Sequence, residues 1–192
     1  MSERLLSLSE ASLIAGSATS LLRPYCERIE VVGSVRRGKT EGIHDIEILC
    51  APRFGPVDST LGETNLLDWR LKRGLPGFAE GDADKAGRKA PFKERYYRLR
   101  FQGVKFDLFV CLPPAQWGLL KLIRTGPADF SHEFVTRLWD YGLKAKDGHI
   151  ENEHGTVFAT DEEADAFGWC HLDYIEPSER TIDKLRRNIQ VA

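Results

Sequence analysis

Acidic and apolar residues alternate in the segment Asp45-Ile-Glu-Ile-Leu49, and this alternation restricts the fold more than any other feature of the sequence. Successive side chains of a β-strand point to opposite faces, so Asp45 and Glu47 share one face while Ile46 and Ile48 point the other way, into a core. The segment 106–109 (FDLF) repeats this arrangement with one acid, Asp107. The sequence therefore predicts strands that combine an apolar face with a carboxylate-bearing face.

Hydrophobic periodicity and turn residues predict the remaining elements. The predicted helices cover 8–23, which opens with the capping box Ser7-x-x-Glu10, then 65–72, 117–123, 130–141, and a segment from the capping box Thr160-x-x-Glu163 to Gly168. The predicted strands cover 28–32, 45–49, 96–101 and 104–110, with a hairpin around 146–148. Segments 35–44, 51–66 and 73–91 are predicted connections.

The pair Pro113-Pro114 marks a break in the pattern. We predict an α+β fold whose larger domain covers residues 1–113. Residues 114–192 are predicted to form a smaller α/β domain.

Composition places the chain among ordinary globular proteins, with 192 residues, 42% hydrophobic and 29% charged. No apolar run approaches the roughly 18 residues that span a bilayer, and the first ten residues do not resemble a signal peptide. We therefore expect a cytoplasmic protein with no membrane partner. The four cysteines form no C-x-x-C pair and are expected to be buried thiols, with a zinc site as the alternative.

The net charge of −2 conceals a strongly basic stretch. Between positions 85 and 105 there are eight basic residues and a single acid, Glu94. Such a stretch is either a phosphate footprint or a solvated face. The candidate nucleic-acid-binding residues are Lys85, Arg88, Lys89, Lys93, Arg95 and Arg98. Tyr96 and Tyr97 lie among them and either stack on a base or pack in the core.

The three acids Asp45, Glu47 and Asp107 are candidate metal ligands. Carboxylates placed side by side repel each other, and a divalent cation removes this cost. Mg²⁺ prefers hard oxygen ligands and shares its shell with phosphates. If the two acidic strands are neighbours, Asp107 completes a three-carboxylate cluster, which can hold two metals as in phosphoryl-transfer enzymes. The alternative for each acid alone is a solvated strand face.

A phosphate-binding turn is indicated at Gly33-Ser34, where a predicted strand ends. Glycine allows the backbone to approach a phosphate closely, and successive N–H groups in such a turn attract anions. The Ser34 hydroxyl and the pair Arg36-Arg37 can add hydrogen-bond donors for a triphosphate.

Taken together, these motifs resemble the nucleotidyltransferase superfamily, and more narrowly the family X DNA polymerases, the polymerase beta group. The stretch 33–38 (GSVRRG) is similar to that family's GS-x-R-R-G motif, and Asp45-Ile-Glu47 is similar to its metal-binding pair. Asp107 matches the third carboxylate. The resemblance continues at 124–126 (RTG), a stretch that lines the nucleotide pocket, and at 174–180 (YIEPSER).

The resemblance implies a palm, which is a mixed β-sheet with helices on one face, followed by a thumb. It implies two Mg²⁺ ions, or Mn²⁺ in their place, on the three acids. It implies that the carboxylate of Asp107 accepts the proton of the primer 3′-hydroxyl. The nucleotide-binding residues that it implies are Gly33, Ser34, Arg37, Arg124, Thr125 and Gly126. The implied partners are a nucleoside triphosphate and a DNA primer–template or gapped duplex, bound by a monomer.

The sequence departs from the family pattern in several places. The second acid is Glu47 where the family usually has Asp, and Ile123 and Arg124 stand where the polymerases usually place an aromatic pair. We find no counterpart of the lyase domain or of the helix-hairpin-helix fingers, and therefore expect a compact two-domain member. The family has a cis peptide after the glycine, and we predict that Gly126–Pro127 is cis.

Three functions are compatible with these features. The first is a gap-filling repair DNA polymerase, favoured by the thumb motifs and the basic stretch. The second is a template-independent nucleotidyltransferase acting on RNA, protein or a small molecule, favoured by the absent aromatic pair. The third is a non-catalytic nucleic-acid-binding module, against which the three acids argue.

Overall fold

The computed structural model describes residues 5–57, 62–81 and 92–188, and within these ranges the fold is α+β. The α-helices are α1 (Leu8–Leu22), α2 (Gly33–Arg36), α3 (Leu66–Lys72), α4 (Trp117–Thr125), α5 (Ala128–Arg137), α6 (Glu163–Gly168) and α7 (Ile182–Arg187). The strands are β1 (Cys26–Val31), β2 (Asp45–Pro52), β3 (Phe54–Pro56), β4 (Glu63–Asn65), β5 (Phe78–Glu80), β6 (Phe92–Lys93), β7 (Tyr96–Phe101), β8 (Val104–Val110), β9 (Leu143–Lys146), β10 (His149–Asn152) and β11 (Val157–Phe158).

The chain forms two compact units. The first unit comprises Met1–Val31 and Lys39–Val110, and the second comprises Val32–Gly38 and Cys111–Ala192. The second unit thus begins close to the Pro113-Pro114 break. It also includes the Gly33-Ser34 turn, although this turn precedes β2 in the sequence.

The first unit is built on a mixed sheet, which confirms the predicted α+β class. Its strand order is β1-β2-β8-β7-β5, and β6 also pairs with β7. β2 and β8 run parallel, whereas the other pairs are antiparallel. Because β8 lies beside β2, the two acidic segments of the sequence occupy neighbouring strands.

Alternation gives this sheet its apolar face. Ile46, Ile48, Phe106 and Leu108 are fully buried, while the residues between them are only half-buried. α1 packs against β1 and β2 with a side formed mostly of small residues, Ala11, Ala15, Ala18 and Leu22, all buried. Burial of each large apolar side chain stabilises the fold by about 1.5–3 kcal/mol. This free energy determines which face of each strand points into the core.

Several predicted boundaries agree with the structure. β7 and β8 cover the predicted segments 96–101 and 104–110, and α1 opens with the predicted Ser7–Glu10 capping box. The predicted connections at 51–66 and 73–91 were wrong in part, since they contain the hairpin β3–β4 and the strand β5. These strands have three residues each, too few to display an alternating pattern.

The second unit combines α4–α7 with an antiparallel sheet of order β11-β10-β9. The predicted helix over 130–141 corresponds to α5 followed by a 3-10 turn at Leu138–Tyr141. The core of this unit is a cluster of buried side chains: Leu119, Leu122, Phe130, Phe134, Leu138, Leu143, Ile150, Ala166, Phe167, Cys170, Leu172, Ile175 and Leu185. This cluster holds the helices against one another.

The start of α6 differs from the prediction. Thr160 is not its capping residue, because the Thr160 hydroxyl and backbone N–H both donate to Gln116 Oε1, at 2.7 and 2.6 Å. The helix instead begins after Glu162, whose N–H donates to the carboxylate of Asp165 at 2.8 Å. Glu163 is thereby released from a capping role.

The cysteines are free thiols. Cys26, Cys50 and Cys170 are buried as predicted, whereas Cys111 is only partly buried. Burial raises the pKa of the Cys170 thiol to about 12, so this thiol stays protonated at neutral pH.

Candidate active site

The three predicted acids lie on neighbouring strands of the first unit. In the parallel pairing of β2 and β8, Glu47 is the register partner of Asp107, and Asp45 is the partner of Lys105. Adjacent strands are separated by about 4.8 Å, and register partners project from the same face. Asp45, Glu47 and Asp107 are each half-buried, on the face opposite the buried isoleucines. The structure thus brings the acids together on one sheet face.

The electrostatics of this face favour a bound cation. Burial and the charge of Asp107 raise the pKa of Asp45, and electrostatic interactions with His44, Lys105 and Arg98 offset this only in part. Ionising both carboxylates therefore costs free energy. A divalent cation between them would remove that cost, and carboxylate oxygens are the ligands that Mg²⁺ prefers.

The third acid has an internal partner. Arg98 Nε lies 3.4 Å from Asp107 Oδ1, and Arg98 Nη2 donates to the Tyr96 hydroxyl at 2.8 Å. Burial and the neighbouring Asp107 raise the pKa of Tyr96 to about 12, so Tyr96 remains neutral. The Tyr96 ring also stacks on Phe109, with centroids 5.1 Å apart. Arg98, a candidate contact to nucleic acid, thus pairs with the acidic face.

The three acids fit a magnesium site because they are carboxylates and share one sheet face. The repulsion between Asp45 and Asp107 also favours a cation there. Within residues 5–57, 62–81 and 92–188, however, no three His, Cys, Asp or Glu side chains are grouped as metal ligands. Arg98 lies 3.4 Å from Asp107, so one of the three carboxylates already has a positively charged partner within the protein.

The predicted nucleotide-binding turn forms part of the second unit. Gly33 adopts φ +65°, a left-handed conformation that favours glycine, and it begins the single helical turn α2. The predicted loop 35–44 is therefore helical at its start. The turn closes with a hydrogen bond from the Arg37 N–H to the Gly33 carbonyl at 3.1 Å, and Ser34 is half-buried.

Predicted nucleotide-binding residues from distant parts of the sequence meet in this unit. Arg37 Nη1 donates to the backbone carbonyl of Thr125. A Cβ on Gly126, which has φ +63°, would lie only 3.3 Å from the same nitrogen. Arg124, at the end of α4, is exposed. The peptide bond Gly126–Pro127 is cis, which confirms the prediction, and Pro113–Pro114 is cis as well.

Arg36 binds a carboxylate within the protein. Its Nη1 donates to Glu163 Oε1 at 2.8 Å and its Nη2 donates to Glu163 Oε2 at 2.6 Å. Nη1 also donates to Thr125 Oγ1 at 2.6 Å. Of the two arginines predicted as triphosphate donors, Arg36 thus has its guanidinium bound to a buried carboxylate, and the prediction that the pair binds a triphosphate stays a prediction.

Much of the basic stretch cannot be placed on this site. Lys85, Arg88 and Lys89 lie outside the described residues, and for Lys93 only the backbone of β6 is described. Arg95 is exposed. Of the two tyrosines, Tyr97 is fully buried and its hydroxyl donates to Asp68 at 2.6 Å, so the core alternative is confirmed for Tyr97.

Sequence reasoning missed Glu163 and the pairing of Arg98 with Asp107. Local spacing predicts a capping role for Glu163, whereas in the structure its carboxylate binds Arg36 and Arg180. Arg36 and Arg180 both belong to the motifs that carry the resemblance, and neither had an assigned carboxylate. The sequence signal for Glu163 is that the motif residues Arg36 and Arg180 each require a carboxylate partner if they are buried.

No protein-family model matches the chain, and no curated protein matches its sequence. Among the described residues, none of the helices has both the length and the apolar character needed to cross a membrane.

Proposed function

We propose that this chain is a metal-dependent nucleotidyltransferase, and more narrowly a small repair DNA polymerase resembling family X, with the first unit as palm and the second as thumb. The observation that carries the proposal is the register of β2 and β8, which sets Glu47 beside Asp107 and two residues from Asp45. A solvated strand face gives no reason for three half-buried carboxylates to share one face of neighbouring strands, where the charge of Asp107 raises the pKa of Asp45.

In this proposal Asp45, Glu47 and Asp107 hold two Mg²⁺ ions, for which Mn²⁺ can substitute. When bound, such ions supply positive charge that stabilises the transferring phosphoryl group and lowers the pKa of the attacking hydroxyl. Asp107 accepts the proton of the primer 3′-hydroxyl at a carboxylate oxygen. The deprotonated 3′-oxygen then bonds to the α-phosphorus of the nucleotide, and the bond from this phosphorus to pyrophosphate breaks.

The nucleotide is held by residues of the second unit. Gly33 and Ser34 contact the triphosphate through backbone N–H groups and a hydroxyl, and Arg37 adds a charged donor. Arg124 and the stretch Thr125–Gly126 line the remainder of the nucleotide pocket. The hydrogen bond between Arg37 and Thr125 supports this assignment, because it joins the two stretches that resemble nucleotide-binding motifs.

The acceptor in this proposal is a DNA primer–template or a gapped duplex, bound by a cytoplasmic monomer. Lys85, Arg88, Lys89, Lys93 and Arg95 contact its phosphates. Contacts of this kind release counterions, so binding should weaken as the salt concentration rises.

Primer extension tests the proposal directly. The purified chain is incubated with a gapped duplex, Mg²⁺ and one nucleotide at a time, with four templates that differ in the first unpaired base. We expect extension to require the divalent cation and to follow the template base. Extension that proceeds equally with chelator, or no extension and no nucleotide transfer to any acceptor, would refute the assignment.

A second candidate is a template-independent nucleotidyltransferase acting on RNA, protein or a small molecule. The observation in its favour is that Ile123 and the exposed Arg124 stand where the polymerases usually place an aromatic pair that senses the sugar. The same assay separates the two candidates. Metal-dependent addition that ignores the template base and accepts ribonucleotides equally would identify this second activity.

A further inference from the structure

A buried carboxylate, Glu163, binds one of the two arginines that follow the Gly33-Ser34 turn. Arg36 grips Glu163 through both guanidinium Nη atoms, at 2.8 and 2.6 Å. The Glu163 side chain is 4% exposed and that of Arg36 is 18% exposed. A bidentate pair of this kind fixes direction as well as distance, because both groups are planar. The turn is therefore held by its Arg36 side chain.

Glu163 is itself held from two other directions. Arg180 Nη1 donates to Glu163 Oε1 at 2.8 Å, and the Arg180 side chain is fully buried. The Tyr174 hydroxyl donates to Glu163 Oε2 at 3.1 Å. Burial alone would raise the pKa of Glu163, but hydrogen bonds from Arg36 and Arg180 lower it, so the carboxylate is charged at neutral pH.

The backbone that carries Glu163 is fixed against α4. The Gly118 N–H donates to the Thr160 carbonyl at 2.8 Å. A Cβ on Gly118 would lie only 2.1 Å from the Glu162 carbonyl oxygen, so the start of α6 and the start of α4 are in direct backbone contact. Thr125, at the other end of α4, accepts from Arg36 at its hydroxyl and from Arg37 at its carbonyl.

These hydrogen bonds and backbone contacts connect α6, through α4, to the Gly33-Ser34 turn. We infer that Glu163 is a positioning residue of the nucleotide site, which acts through Arg36 to fix the segment Val32–Gly38 beside Thr125 and Gly126. The inference rests on the proposed function, because it assigns to this segment the binding of a triphosphate. Glu163 touches no substrate. Its contribution is to hold Gly33, Ser34 and Arg37 in the conformation that binds phosphate, where a displacement of about 1 Å can cost up to roughly 10²-fold.

The test compares two buried glutamates of the same unit. Glu163→Gln removes the charge that holds Arg36. The matched control is Glu151→Gln, because Glu151 is also buried and pairs with Lys144 and Lys146, at 3.2 Å each, and neither belongs to the turn. Calorimetric titration measures the Kd of each folded variant for dATP with Mg²⁺, and for inorganic tripolyphosphate, which has no base or sugar.

We expect Glu163→Gln to weaken binding of both probes about tenfold. In primer extension it should raise the KM for the nucleotide more than it lowers kcat. Glu151→Gln should change neither Kd by more than about twofold. If Glu163→Gln binds like the wild type, or if both variants weaken binding equally, the positioning role is refuted. Absence of triphosphate binding by the wild type refutes the proposed function, and the positioning role with it.

Arg36→Lys keeps the test decisive if Glu163→Gln does not fold. This substitution retains a cation beside Glu163 but removes the bidentate grip and the bond to Thr125. We expect the same loss of tripolyphosphate affinity from Arg36→Lys, and unchanged affinity in this variant would also refute the inference.

Discussion

The guanidinium of Arg98 lies 3.4 Å from the carboxylate of Asp107, because the antiparallel register of β7 and β8 sets the two residues opposite each other. The same guanidinium donates to the Tyr96 hydroxyl, which limits its freedom to leave. The protein thus neutralises its third acid with a cation of its own. A divalent cation that binds the acidic face has to compete with Arg98.

Arg98→Ala should therefore tighten divalent cation binding. Removal of the guanidinium leaves Asp107 without its counter-ion and increases repulsion within the acidic face of the metal-free protein. The Arg98 side chain is 38% exposed, so solvent screening limits the effect to about 0.5–1 kcal/mol, or roughly a two- to fivefold lower Kd. Titration of Mn²⁺ without nucleotide, followed by electron paramagnetic resonance, measures this affinity.

Arg28→Ala provides the control for the loss of one positive charge. Arg28 pairs with Glu30 on β1 in the same unit, and its side chain is 35% exposed. This variant should bind Mn²⁺ as the wild type does. Weaker Mn²⁺ binding by Arg98→Ala would contradict competition and would mean that Arg98 orients Asp107 toward the ion.

Asp107→Asn should abolish most nucleotidyl transfer while leaving the fold intact. The substitution removes both a metal ligand and the proposed proton acceptor, and loss of a positioned proton acceptor typically lowers the rate by about 10²–10⁴-fold. The free energy of unfolding should change by less than about 1 kcal/mol, because the ion pair lost with Arg98 is long and its loss is offset by relief of the repulsion between Asp107 and Asp45. Single-turnover primer extension and urea denaturation measure the two quantities.

Asp147→Asn is the corresponding control, since Asp147 is an exposed acid at the turn between β9 and β10. Its φ of +48° is one that Asn accepts readily. Full activity in this variant alongside the loss in Asp107→Asn is the expected pattern. Retention of full activity by Asp107→Asn would exclude the proposed chemistry.

The acidic sheet face could be predicted from sequence because strand alternation is a local property. Once Ile46 and Ile48 have to be buried, Asp45 and Glu47 can only point away from the core. The strand pattern does not show that β8 lies beside β2. Only the family resemblance, which groups Asp107 with Asp45 and Glu47, indicates this pairing. The ion pairs of Arg98 and Glu163 depend on which segments the fold brings together, so no local pattern could reveal them.

The helix and strand boundaries that were predicted wrongly also depend on features that local patterns do not show. Thr160 and Glu163 have the spacing of a capping box, but Gln116 binds Thr160 and two arginines bind Glu163, and these long-range partners outweigh the local preference. The β3–β4 hairpin was missed because strands of three residues show no periodicity. Helix α1, with fifteen residues and a capping box, could be predicted to within one residue of each end.

The hairpin β9–β10 should lose stability in acid. The hydrogen bond with His149 and then that with Lys144 lower the pKa of Glu151 to about 2, from an ordinary value of 4.5. The folded pKa is depressed, so the stabilisation from ionised Glu151 is complete above about pH 4.5 and is lost as the pH falls toward 2. Glu151→Gln should therefore flatten the dependence of unfolding free energy on pH in this window.

Chemical denaturation of both proteins between pH 2 and pH 7 measures that dependence. The variant should be less stable than the wild type at pH 7, and the two stabilities should converge as the pH approaches 2. A constant difference across the range would show that Glu151 contributes through packing rather than through its charge.

Two glycines in helices should respond to alanine in opposite directions. Gly118 lies in α4, where an added Cβ would meet the Glu162 carbonyl oxygen at 2.1 Å and the Thr160 carbonyl oxygen at 2.8 Å, and both are backbone atoms. Gly118→Ala must therefore push α6 away from α4, at a cost of about 2–3 kcal/mol. Gly16 lies in α1 with nothing within 4 Å of an added Cβ, so Gly16→Ala should stabilise the protein by about 0.5–1 kcal/mol through helix propensity. Urea denaturation measures both changes, and a Gly118→Ala protein as stable as Gly16→Ala would be incompatible with the close contact between α4 and α6.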